Sequence, residues 1–215
     1  MGFGDGDRSA FARRPLVVAV APNGARKTRQ DHPALPITPA ELADCAAACR
    51  DAGASMLHLH VRKADGSHSL APADYRPAID AVRRAVGQSL VLQLTIEAIG
   101  VYAPQQQMAM VRELRPEAVS LALGEVLPDA SAEREGAEFL AWAERERIVA
   151  QHILYSAEDV RRYALQRRRG VIPAGRHWVL FVLGRYAGRQ RSSLADLLPM
   201  HAAWQATGDV AQDVP

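Results

Sequence analysis

Short apolar runs rich in leucine or β-branched residues alternate with longer amphipathic segments along the whole chain. That alternation is the mark of parallel βα units, because a strand covered on both faces is a short apolar run and its crossover is a helix with one apolar stripe. The runs begin at Leu16 (LVVAVAP), Ser55 (SMLHLHV, to Val61), Leu90 (LVLQLT), Ala118 (AVSLAL), Ile148 (IVAQHILY) and His177 (HWVLFVLG). Helix signals fall between them. Thr38 is placed as N-cap of a helix starting at Pro39, with an acidic residue near its positive end and Gly53 just past its end. The loop KADGSHSLAP leads into ADYRPAIDAVRRAVG, which finishes on Gly87, and APQQQMAMVRELRP is stopped by Pro116. Ser131 to Glu146 is strongly helical, Ser156 caps AEDVRRYALQRRR, which Gly170 ends, and Ser192 or Ser193 opens a last helix reaching Trp204.

Strand starts spaced by roughly 28 to 39 residues are normal for βα repeats and give about six of them. A TIM (β/α)8 barrel typically needs about 250 residues, so 215 residues read as six of eight βα units of such a barrel. An open doubly wound sheet is the alternative, but it usually carries a Gly-rich phosphate turn after its first strand, and PNGAR (Pro22 to Arg26) has a single glycine. The expected organisation is a flexible arm over residues 1–14, an incomplete barrel over 15–205 and an irregular tail over 206–215.

Partners have to be argued from a site. Lys and Arg number 26 against 24 Asp and Glu, a net charge of +2 that creates no general field for nucleic acid or anionic lipid. The basic run Arg161 to Gly170 reads as a solvated helix face, since no aromatic platforms accompany it. No stretch of about 18 consecutive apolar residues occurs, and the first residues lack the apolar run of a signal peptide. Cys45 and Cys49, one helical turn apart in ADCAAAC, suit close packing in a reducing compartment, so a soluble, cytoplasmic protein is expected.

His58 and His60 lie two apart at the C-terminal end of a strand, so their side chains leave the same face at the barrel end where active sites are built. Two imidazoles at this spacing can hold one Zn²⁺ at about 2.0 to 2.1 Å each, with a third protein ligand and an open position completing a catalytic site. The plainer alternative is a pair of half-buried histidines bonded to neighbours. His32 and His68 are placed in mouth-side loops, His177 at the wrong end of its strand and His201 in a helix. Other polar residues gather at the same rim: Asn23, Thr95, Glu97, Ser120, Gln151 and His152.

Several blocks together, APNGARKT, DHPALPITPAEL, AGASMLHLHVR with DGSHS, LQLT, RPEAVSLAL, ILYS and FVLGR, resemble the β-keto acid cleavage enzymes, such as those acting on 3-keto-5-aminohexanoate. The resemblance runs from about Leu16 to Trp204. It implies a TIM barrel with one divalent metal, normally zinc, that reacts a β-keto acid with acetyl-CoA to give acetoacetate and a new CoA ester. It makes His58 and His60 the metal ligands, and sets Thr95 and Ser120 where the family has substrate-binding hydroxyls. It also implies a homotetramer. Gln151 stands where the aminohexanoate enzyme has a glutamate for the substrate's amino group, and Arg26 where it has another. A neutral amide makes no such ion pair, so the substrate here is expected to lack the ammonium.

The family's late block Gly-Gly-His-x-Arg-x-Gly-Phe-Glu-[Asp/Asn]-Asn, with its glutamate ligand and arginine, has no counterpart after HAAWQ. The expectation is a chain truncated at that end, with Glu97 and Glu125 as conceivable stand-ins and Asn23 as a further group for the substrate carboxylate. Two other readings stay open. One is an amidohydrolase-like metal hydrolase, which also uses His-x-His in a barrel and for which His152 is the supporting residue. The other is a non-catalytic truncated product with open sheet edges.

Overall fold

The computed structural model describes residues 16–175, 178–184 and 192–208. The expected arm over residues 1–14, His177 and the tail from 209 onward lie outside the described residues. Among the described residues, eight strands and seven helices follow in order: β1 (Ala19–Val20), α1 (Pro39–Asp51), β2 (Met56–Leu59), β3 (Val61–Arg62), β4 (His68–Ser69), α2 (Pro72–Val86), β5 (Val91–Thr95), α3 (Pro104–Leu114), β6 (Ala118–Ala122), α4 (Leu123–Val126), α5 (Glu133–Arg145), β7 (Val149–Leu154), α6 (Ala157–Arg168), β8 (Trp178–Phe181) and α7 (Leu194–Gln205).

Six strands form one wholly parallel sheet in the order β1-β2-β5-β6-β7-β8, each pairing with the one before it in the chain. Crossovers of one hand with no reversal of direction put every helix on the same face. The sheet therefore curls as a barrel wall does, and the fold is six consecutive units of the (β/α)8 type. A doubly wound sheet would reverse its strand order, so that alternative is removed.

Strand alternation sorts the residues between the two faces. Leu57, Leu59, Leu92, Leu94, Val119, Leu121, Ala150 and Leu154 turn to the helices and meet Tyr75, Val82, Val111, Phe139, Val160 and Tyr163 in one buried core. Each fully buried leucine or phenylalanine there contributes about 1.5–3 kcal/mol. The opposite, concave face receives His58, Gln93, Thr95, Ser120 and Gln151. The ladder puts His58 beside Gln93, Thr95 beside Ser120, and Ser120 beside Gln151.

Helix starts follow the expected chemistry. Thr38 Oγ1 accepts from Glu41 N–H at 3.3 Å while Glu41 Oε2 accepts from Thr38 N–H at 2.9 Å, a reciprocal capping box. The Thr38 backbone N–H, with that of Ile37, holds the Glu41 carboxyl down at about 2. Ser156 caps α6 through the Asp159 N–H at 3.1 Å. The arginines of the basic run are tied down: Arg161 pairs with Glu158, Arg169 with Glu133, and Arg168 donates to the Thr207 carbonyl.

Two expectations needed correction. The run SMLHLHV is not one strand: the parallel ladder stops at Leu59, and Val61–Arg62 turns away to pair antiparallel with His68–Ser69. Asp65-Gly66 is the cause, because Gly66 at φ +82° supplies the left-handed residue a tight hairpin needs. The run AVSLAL is not strand throughout: β6 ends at Ala122 and Leu123 opens the short helix α4.

Candidate active site

At the C-terminal ends of the strands the concave face opens into a cavity of about 720 Å³. Its floor carries His58, His60, Gln93, Thr95, Glu97 and Gln151, and its rim carries Arg26, Lys27 and Asp31 from the loop after β1. Of the expected site residues the structure thus brings together His58, His60, Thr95, Glu97 and Gln151.

The two histidines are neighbours through their Nε2 atoms, 3.0 Å apart, with the rings edge-on. Burial pushes both below the ordinary histidine value of 6.5; for His60 the fall is large, with His58, His68 and Arg62 adding to it. They are held as neutral imidazoles, the form a metal ion requires. Two Nε2 atoms at this separation can both approach one divalent ion to about 2.0 to 2.1 Å, so the pair fits two ligand positions. No group of three or more His, Cys, Asp or Glu side chains that could hold a metal occurs among the described residues.

His58 Nδ1 lies 2.7 Å from Gln93 Oε1, and Gln93 Nε2 donates to Gln151 Oε1 at 3.1 Å. Gln93 was missed by sequence reasoning. The signal was present, for in VLQLT the glutamine is two residues before Thr95 and must share its face.

Thr95 is buried and its Oγ1 accepts from the Glu97 N–H at 3.1 Å, fixing the turn that presents Glu97. Ser120 lies between Thr95 and Gln151 in the ladder but is buried and does not line the cavity; among the described residues its Oγ has no hydrogen-bond partner. Asn23 does not line the cavity. Its Nδ2 donates to the His60 carbonyl at 3.1 Å and so ties the first loop to the end of β2.

Arg62 reinforces that tie. Its Nη2 donates to the carbonyls of Gly24 at 2.6 Å and Lys27 at 2.9 Å, and its Nη1 to that of Gly66 at 2.9 Å. His68 is not a solvated loop residue as expected but a buried member of β4, with Nε2 3.0 Å from the Glu97 carbonyl oxygen.

Other expectations are corrected by position. His152 does not face the mouth: it is adjacent to Gln151, so alternation turns it to the helices, where its ring packs 5.0 Å from that of Tyr163. With it goes the support for an amidohydrolase-like site. Glu125 is drawn away by α4, accepting from the Ala98 N–H at 2.9 Å and Gln107 Nε2 at 3.1 Å behind the loop after β5. His32 and His201 are exposed, away from the cavity lining. Cys45 and Cys49 sit 4.0 Å apart on α1, with burial pushing the Cys45 thiol up to about 11, which keeps it protonated.

A sequence model of the beta-keto acid cleavage enzymes matches residues 15–213. The chain belongs to this family. Among its relatives, the 3-keto-5-aminohexanoate cleavage enzyme of Acetoanaerobium sticklandii is 31% identical over 109 residues, which are 51% of this chain and 39% of that protein. The 3-oxoadipate:acetyl-CoA acetyltransferase of Cupriavidus necator is 30% identical over 113 residues, 53% of this chain and 39% of that one. This family member thus spans 39% of the length of each of these two relatives. Among solved structures it is similar to ObcA bound to oxaloacetate, with a TM-score of 0.59 at 15% identity over 83% of this chain and 47% of that one. It is also similar to the type I 3-dehydroquinate dehydratase of Clostridium difficile, at 0.58 and 10% over 93% and 73%. At such identities the likeness is one of fold, and it agrees with the barrel topology.

Proposed function

We propose that the cavity is the substrate end of a β-keto acid cleavage site in which His58 and His60 hold one divalent metal, zinc by family resemblance. The observation that carries this reading is the pair of neutral imidazoles whose Nε2 atoms meet at 3.0 Å on the cavity floor, in a chain of this family. The reaction joins a β-keto acid to acetyl-CoA. The bond between the keto carbon and the CH2 bearing the carboxylate breaks, that CH2 bonds to the acetyl carbon to give acetoacetate, and the thiolate of CoA takes the remaining acyl group as a new thioester.

When bound at the pair, a divalent ion supplies Lewis-acid polarisation of the keto group. The chain's own residues do the rest of what this half of the site requires. The Thr95 hydroxyl on the cavity floor and the Ser120 hydroxyl beside it in the ladder are the donors for the substrate carboxylate; the buried Ser120 Oγ, with no hydrogen-bond partner among the described residues, needs a side-chain shift to make that bond. Asn23 acts by holding the His60 carbonyl, hence the strand end. Glu97 stands on the cavity wall as the carboxylate for moving the CH2 proton. Arg26 and Lys27 at the rim favour an acidic substrate and the phosphates of CoA.

The test is acetoacetate release by the full chain from acetyl-CoA and a panel of β-keto acids, with metal analysis of the same protein. Metal-dependent turnover that His58→Ala abolishes is expected. Protein that binds no divalent metal and turns over none of the acids would overturn the proposal.

A further inference from the structure

Gln93 is 1% exposed and occupies the ladder position directly beside His58. Both ends of its amide are spent, Oε1 on His58 Nδ1 at 2.7 Å and Nε2 on Gln151 Oε1 at 3.1 Å. An amide oxygen carries no proton, so in this arrangement the proton of the first bond belongs to His58 Nδ1. In the metal-free chain neutral His58 then has its Nε2 lone pair turned on His60, and the 3.0 Å contact between the rings is closed by the His60 Nε2–H, a proton that must leave Nε2 before His60 can bind a metal there.

Rotating both amides would reverse every bond in the row, so a second observation is needed to fix the direction. Among the described residues the buried His60 Nδ1 has no hydrogen-bond partner. In the reversed row His58 donates from Nε2, His60 accepts there, and the His60 proton moves to Nδ1 as a buried N–H with no acceptor. In the row described, His60 Nδ1 is only an unfilled lone pair. Orphaned buried N–H groups are the rarer and costlier of the two, and the row runs from His58 to Gln151.

We propose that Gln93 is a positioning residue that fixes His58 as the Nδ1–H tautomer, aiming its Nε2 lone pair at the metal position, and that the same amide turns the NH2 group of Gln151 into the cavity. The substrate group that reaches Gln151 is then a hydrogen-bond acceptor, a carboxylate, carbonyl or hydroxyl. The role toward a metal rests on the reading given under Proposed function; the tautomer does not. An imidazole held through its far nitrogen is the common way a protein orients a histidine ligand, and losing such a partner typically costs about 10–100-fold in metal affinity.

The experiment is ¹⁵N NMR of the imidazoles in the metal-free full chain, with cobalt(II) titration of the same samples. Wild-type His58 is expected to show a protonated Nδ1 and a bare Nε2. Gln93→Leu removes the acceptor, so His58 should move toward the Nε2–H form, and cobalt should bind about 10–100-fold more weakly. Gln93→Glu keeps an acceptor for Nδ1 and should preserve the tautomer. Wild-type His58 found as Nε2–H, or a tautomer unmoved by Gln93→Leu, overturns the proposal. If Gln93→Leu does not fold, the wild-type spectrum and that of Gln93→Glu decide. A wild-type chain that takes no cobalt refutes the metal reading, while the spectrum still decides the tautomer.

Discussion

His58 and His152 belong to the same parallel sheet, with two strands between theirs, and face opposite ways. His58 looks into the cavity, wired through Gln93 to Gln151 and touching His60. His152 looks into the helix layer, buried against the ring of Tyr163. The helix-facing side is closed and apolar, so what it loses when cut is packing. The concave side carries imidazoles, amides and hydroxyls at the strand ends, so what it loses is recognition. The two faces divide stability from chemistry, and residue type alone does not tell which a histidine serves.

The largest effects that can test this division lie at opposite ends of it. Phe139→Ala, in the helix layer, should cost about 3–5 kcal/mol in urea unfolding; a loss under about 1 kcal/mol would mean that layer is not the packed one. His60→Ala should weaken cobalt binding by about 100-fold or more with little change in unfolding. His152→Leu should leave cobalt binding where it was, and a comparable drop in that variant would erase the contrast between faces.

Ser120→Ala offers a finer probe, because it removes a buried hydroxyl that has no partner among the described residues. It should leave stability equal or raise it by up to about 1 kcal/mol while raising KM for the keto acid, a trade expected only on the concave side. The smallest effect belongs to neither face. Glu41 at the start of α1 has its carboxyl held at about 2 against an ordinary 4.5. A depressed folded-state value gives stability that is complete above pH 4.5 and lost as pH falls toward 2. In melting curves, wild type and Glu41→Gln should differ at pH 5 and converge near pH 2.

The pairing of His58 with His60 was legible in the sequence because a period of two is a hard constraint on a strand. Where the reading failed, the constraint was not applied strictly or a local turn overrode it. Gln151 and His152 are adjacent and cannot share a face, yet both were assigned to the mouth. Gln93 looked like one polar interruption between leucines, and only the register beside His58 shows its use. Glu125 needed the knowledge that β6 runs straight into a helical turn, which rotates the carboxylate behind the loop. His68 needed the hairpin that Asp65-Gly66 makes. Neither turn has the long periodicity that makes strands and helices readable.

Arg62 gathers carbonyl oxygens from two segments, the loop after β1 that borders the mouth and the hairpin of β3 and β4. A planar fork with five donors holds several acceptors in one fixed geometry, whereas a lysine's compact ammonium sits on a flexible stem. The two segments are therefore joined through one side chain and detach together or not at all. Amide hydrogens around residues 24–27 and 66–67 should accordingly exchange with solvent as one unit, and opening of the mouth belongs with collective motions on the microsecond to millisecond scale, not with the nanosecond flicker of a free loop.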